Sequence, residues 1–170
     1  ISSDEYRTSH INGSITTGPV SNNAVYSHTD ASTSAGTHAT GDHSYFGNSI
    51  QLRGLSLDSR ISDNRLKQFS PLSAGLDTAS LTWTEQFNAK LPWNFSTSAS
   101  YNFQKSKRTT EQTAVKPRTQ ETNESKNSGF ILAHKLYDSV RTAYSLNETS
   151  SESSVGNTQG ESHSLHGVYT

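Results

Sequence analysis

An all-β fold, an antiparallel up-and-down meander of about eight strands, is what this sequence predicts. Three observations carry the prediction. Apolar and polar residues alternate with a period of two along the best-defined segments, which puts them on opposite faces of a strand. Tight turns alternate with long polar stretches. The composition is too polar for a large dry core: 29% of the 170 residues are apolar, while 30 are Ser and 20 are Thr.

Taken in order, residues 5–15 and 23–29 are short strand candidates, the second built on Ala24-Val25-Tyr26. Residues 30–43, rich in Ser, Thr, Gly and Ala, read as an exposed loop. Phe46, Ile50 and Leu52 share a parity and mark a strand over 44–57. The stretch 58–76 reads as a long polar connection. Two consecutive long connections break the short–long alternation, so either 59–68 hides a further strand or one turn is unusually long. The clearest strand is 78–90: Ala79, Leu81, Trp83, Phe87 and Ala89 alternate with Ser80, Thr82, Thr84, Gln86 and Asn88. Leu91-Pro92-Trp93 breaks it, because proline cannot donate to a ladder. From Asn94 the alternation resumes, with Phe95, Ala99, Tyr101 and Phe103 on one side and Ser96, Ser98, Ser100 and Asn102 on the other. Each apolar face covers about 9–11 residues, the length a tilted strand needs to cross a bilayer. After a long polar stretch at 105–128 comes a second hairpin, with strands 129–134 and 140–147 and a turn at 135–139. Val140, Thr142, Tyr144 and Leu146 share one of its faces. Another polar stretch, 148–161, leads to a last strand at 162–170.

So little apolar material would not offset the entropy of ordering a water-soluble backbone. Two escapes exist: partial disorder of the chain, or a barrel with a wet lumen, of which only the outward face must be apolar. No run of 18 apolar residues exists, which excludes a transmembrane helix. A net charge of −1 supplies no electrostatic footprint for nucleic acid. The absence of cysteine removes disulfides, thiolate metal sites and cysteine nucleophiles. Ile1-Ser2-Ser3-Asp4 at one end, and the strand-like Leu165 to Thr170 at the other, lead us to expect an internal part of a longer chain.

The two clear hairpins repeat at an offset of 45 residues: Lys90-Leu91 corresponds to Lys135-Leu136, Phe87 to Leu132, Phe95 to Val140 and Tyr101 to Leu146. The segment running from Ser80 through Leu81, Trp83, Phe87 and Leu91 to Trp93 resembles the strand–turn–strand units of large, mostly uncharacterised outer-membrane β-barrels of Gram-negative bacteria. Ala133-His134-Lys135-Leu136-Tyr137-Asp138-Ser139-Val140 is similar to the periplasmic turn of the next hairpin in such proteins. The resemblance covers residues 75–170 best. It implies an integral barrel, or part of one, with long extracellular loops, porin-like or adhesive, without a cofactor. It carries over no functional residues.

Eight aromatic residues are the candidate site. Trp93, Tyr137, Phe87 and Phe95 fall at or near the short turns, and Tyr101 and Phe103 towards the other end of their strand; Trp83 and Tyr144 share the apolar parity. They are expected to form two membrane-interface girdles; the bland alternative is core packing in a sandwich. Glu85 breaks the apolar parity between Trp83 and Phe87 and is the main evidence against lipid contact. The polar parity is mostly Ser, Thr, Asn and Gln, which suits either a wide lumen or the solvated face of a soluble sheet. His163 and His166 point to opposite faces of a strand, and His38 and His43 lie in the 30–43 stretch, so no metal site is expected. No nucleophile elbow and no phosphate loop occurs, so neither a catalytic residue nor a cofactor is expected. The 105–128 stretch carries Lys105, Lys107, Arg108, Lys116, Arg118 and Lys126. It is either a solvated loop or a binder of lipopolysaccharide phosphates.

The expectation is an integral protein of the bacterial outer membrane, giving passive passage or a surface scaffold and contacting outer-membrane lipid and lipopolysaccharide. The alternative is an extracellular Ser/Thr-rich β-sandwich serving as an adhesin or filament subunit.

Overall fold

The computed structural model describes residues 4–71, 73–111, 118–137, 140–154 and 157–169; residues 73–74, 136–137 and 157–169 are described as backbone only. Nine strands follow one another: β1 (Glu5–Thr17), β2 (Val20–Ser32), β3 (His38–Leu52), β4 (Leu55–Ser70), β5 (Ser73–Lys90), β6 (Phe95–Thr110), β7 (Thr119–Tyr137), β8 (Val140–Ser153) and β9 (Asn157–Tyr169). They form a single antiparallel sheet in sequence order, so the predicted up-and-down meander is the fold. Each strand touches only its neighbours in sequence among the described residues, and β1 and β9 are the two edges.

Turn chemistry explains the joints at one end. Arg53-Gly54 closes β3 onto β4, with Gly54 at φ 77°, a left-handed conformation that only glycine adopts without strain. Leu91 to Asn94 joins β5 to β6. There the Leu91 N–H donates to the Phe95 carbonyl at 2.8 Å, and both Trp93 (φ 58°) and Asn94 (φ 60°) are left-handed.

The nine strands agree with the expected number of about eight, while the loop lengths differ from the sequence expectation. The ninth strand is β4, the one that 59–68 was suspected of hiding. The predicted strand over 44–57 is two strands, split at Arg53-Gly54. The expected long loops at 30–43, 58–76, 105–128 and 148–161 are mostly strand: β2 runs to Ser32, β4 to Ser70, β6 to Thr110 and β8 to Ser153, while β3, β5, β7 and β9 begin at His38, Ser73, Thr119 and Asn157. His38 and His43 accordingly lie in β3 rather than in a loop. The reason is physical. Period-two hydropathy appears only where one face is apolar, and in these outer halves both faces are polar, so the strands continue without the signal. The backbone ladder carries on regardless: Lys105 pairs with Glu124, and Asp42 with Arg65.

The sheet has almost no dry core. Ala89, 8% exposed, is the one apolar side chain buried among the described residues. No second sheet covers either face there. Gly47 shows local fitting instead. A Cβ added to it would lie 2.4 Å from Asn23 Oδ1 and 2.6 Å from Tyr45 Oη, so the Tyr45 ring lies over the glycine on the polar face.

Candidate functional site

Residues directly opposite each other in an antiparallel pair share a face, so the register can be followed across the sheet. Starting from Trp83 and Phe87 on β5, it leads to Leu57 and Ile61 on β4, to Phe46 and Ile50 on β3, and to Val20 and Ala24 on β2. Ile11 and Ile15 extend the row onto β1. In the other direction it leads to Phe95, Ala99 and Phe103 on β6, Phe130 and Leu132 on β7, and Val140, Tyr144 and Leu146 on β8. One face therefore carries a continuous apolar belt. It is open: Ile11 is 69% exposed, Phe46 50% and Tyr144 39%.

The belt is oblique to the strands. Phe95 is level with His134 and then with Thr142, yet its counterpart in the repeat, Val140, lies two residues nearer the turn. That is one residue of drift per strand. With about 3.3 Å of rise and about 4.8 Å between strands, it corresponds to a slant of roughly 35°. Over the wider sheet, the row through Gly13 in mid-belt on β1 reaches Ser150 on β8, six residues from Tyr144 in the belt there, a mean slant of about 30°. A belt of constant depth requires strands tilted by that angle, close to the roughly 35–45° of closed barrels. From Leu81 to Ala89 the belt spans about 20–25 Å along the tilted axis.

The predicted aromatic residues are distributed along this belt. Trp83 packs edge-on against Tyr101, with ring centroids 5.3 Å apart. Phe95 stacks on His134 at 3.8 Å. Phe87 is level with Ala99 and Phe130, in mid-belt, and Tyr144 is level with Leu132. Trp93 projects from the turn, 84% exposed. The Tyr137 side chain lies outside the described residues. Tyr101 and Phe103 do not end their strand, since β6 runs on to Thr110; they lie where the belt meets charge, with the Lys126 ammonium 5.9 Å above the Phe103 ring.

Beyond that border the same face is charged. Tyr26 Oη donates to Asp42 at 2.9 Å, and His28 Nδ1 lies 2.8 Å from the same carboxylate. These two contacts, His28 first, hold the Asp42 carboxyl below its ordinary pKa. Glu124 bridges Lys126 (2.9 Å) and Lys105 (3.1 Å), which depresses its carboxyl in the same sense. The zone is exposed, so these pairs contribute little to stability individually.

One polar row crosses the belt: Asn22, Asn48, Ser59 and Glu85 are level on β2 to β5, with apolar rows on both sides. Asn48 Nδ2 donates to Asn22 Oδ1 at 2.6 Å. Sequence reading found Glu85 but not its companions. The register that brings them together depends on turn positions hidden in the polar halves.

The opposite face is Ser96, Ser98, Ser100 and Asn102 on β6 and similar residues elsewhere. A cleft of about 480 Å³ near the short turns is lined there by Gln51, Ser56, Asn88, Lys90 and Ser98. No group of acidic or histidine side chains able to hold a metal occurs among the described residues. The cleft brings no acid–base pair together with a nucleophile. Neither a protein-family model, nor a curated protein, nor a solved structure matches the chain.

Proposed function

We propose that this chain is an integral β-barrel element of the bacterial outer membrane, porin-like, giving passive passage or a surface scaffold. The observation that carries this reading is the slanted, open apolar belt. An exposed apolar face of this extent needs a cover, and no protein layer supplies one among the described residues. Its height is close to the apolar band of membrane barrels, about 25 Å, and its slant matches their strand tilt. In this reading the belt faces lipid, the Ser/Thr/Asn face lines a wet lumen, and the charged outer halves stand above the outer leaflet. The unpaired edges β1 and β9 provide for closure or for further pairing. A sandwich adhesin would instead bury the belt under a second sheet.

The test uses the protein's two tryptophans. In vesicles of brominated phosphatidylcholine, Trp83 (measured in Trp93→Phe) is quenched most by bromines deep in the acyl chains. Trp93 (measured in Trp83→Phe) is quenched by those near the headgroup. Equal, weak quenching of both at every depth would refute membrane insertion.

A further inference from the structure

Resting on the membrane reading above, we propose that the face of β4, β5 and β6 just beyond the belt holds the phosphate group of an anionic membrane lipid. Arg65 on β4 and Lys107 on β6 are both level with Ala79 of β5, one on each side. Strands about 4.8 Å apart place these two cations about 10 Å apart at their Cα atoms, with only a methyl group between them. Both side chains are long enough to converge over Ala79, and two converging cations favour an anion between them. Lys67 stands one row further out, level with Asp77. These residues line a common cleft of about 530 Å³.

The floor of the cleft distinguishes a lipid from a free ion. Ala79 and Leu81 form it and continue into the belt through Trp83 on the same strand face. An acyl chain lying on the belt would therefore bring its headgroup to the cations, at the depth where basic residues contact lipid phosphates. Three carboxylates line the cleft beside its four cations, Arg65, Lys67, Lys105 and Lys107: Asp63 accepts from Arg65 Nη2 at 2.9 Å, Asp42 is held by Tyr26 and His28, and Asp77 stands level with Lys67. Among the described residues neither Lys67 nor Lys107 is in an ion pair. Arg65 offers phosphate oxygens the guanidinium N–H groups that Asp63 does not occupy, and the lysines supply mobile point charges.

The experiment reconstitutes the full chain in phosphatidylcholine vesicles with and without phosphatidylglycerol and reads two signals from one sample. Tryptophan quenching by brominated lipid reports insertion. Electron spin resonance of spin-labelled phosphatidylglycerol against spin-labelled phosphatidylcholine reports which lipid the protein retains. The expected result is a several-fold preference for phosphatidylglycerol, lost in Arg65→Gln/Lys107→Gln and retained in Lys90→Gln/Lys135→Gln, whose charges lie at the opposite end of the strands. Insertion without a preference, or a preference untouched by Arg65→Gln/Lys107→Gln, overturns the inference and leaves the membrane reading standing. Failure to insert overturns both. Inorganic phosphate displacing the labelled lipid at millimolar concentration would assign the site to a free anion and overturn the lipid as its occupant.

Discussion

Ala99 offers the most direct test of which way the belt faces. It lies four residues from Phe95 and four from Phe103, in mid-belt, and is level with Phe87 and Phe130. Ser98, next to it, points to the other face and is level with Asn88 and Ile131. An arginine at the bilayer midplane costs about 2–4 kcal/mol, and one on a lumen wall costs little. Ala99→Arg should therefore lower the equilibrium constant for folding into vesicles by roughly 30- to 700-fold, while Ser98→Arg changes it only slightly. A buried core would penalise Ala99→Arg as well, so a third variant is needed. Lipid accommodates the added methylenes of Ala99→Leu, whereas a packed core resists overpacking by about 1–3 kcal/mol. Urea titrations of folding into phosphatidylcholine vesicles, followed by tryptophan fluorescence, measure all three. The reasoning is refuted if Ser98→Arg costs as much as Ala99→Arg, or if Ala99→Leu destabilises.

Three further predictions follow from the belt and its borders. A carboxyl whose pKa is depressed on folding stabilises the fold above its unfolded value and loses that contribution as pH falls through the folded one; since Asp42 and Glu124 are both depressed, acidification below about pH 4 should loosen the charged halves of β3 and β7 before the belt, seen as faster amide exchange there and less change in Glu124→Gln. Trp93→Gly removes a bulky residue from a left-handed position that costs about 1–2 kcal/mol and also removes an exposed interfacial ring, so the turn should become more stable in detergent while vesicle binding weakens; unchanged vesicle binding would rule out an anchoring role. Glu85→Leu replaces a carboxylate in mid-belt and should raise stability in vesicles by about 1–2 kcal/mol, somewhat less than the arginine penalty; a loss of stability would mean that a protein partner holds that carboxylate.

The inner half of each hairpin was legible in the sequence because its two faces differ. Trp83, Phe87, Phe95 and Tyr144 announced themselves by parity, and the turn at Leu91 to Asn94 by its proline. The outer halves were not legible. In Lys105 to Thr110 and in Thr119 to Ser128 both parities are polar, so nothing in the pattern separates a solvated strand from a loop. The same silence concealed β4, where Ser59, Asp63 and Arg65 share the parity of Leu57 and Ile61 and break up its apolar pattern. It also concealed the site features that depend on register. Asn22, Asn48, Ser59 and Glu85 are scattered in the chain and become one row only when every turn is placed. Arg65, Ala79 and Lys107 meet by the same route.

The meander with contacts only between consecutive strands has a consequence for how such a chain grows. Among the described residues no strand pairs with one distant in sequence, so the sheet behaves as a one-dimensional array in which each interface is an independent unit. Another hairpin of the 45-residue unit seen at Phe95 and Val140, joined at either edge, would leave the contacts of the other strands unchanged and shift the belt by the same two residues. Width can thus change by duplication while each hairpin keeps its place in the belt. The meander is in this sense extensible, with strand number free to vary where inward packing is not required.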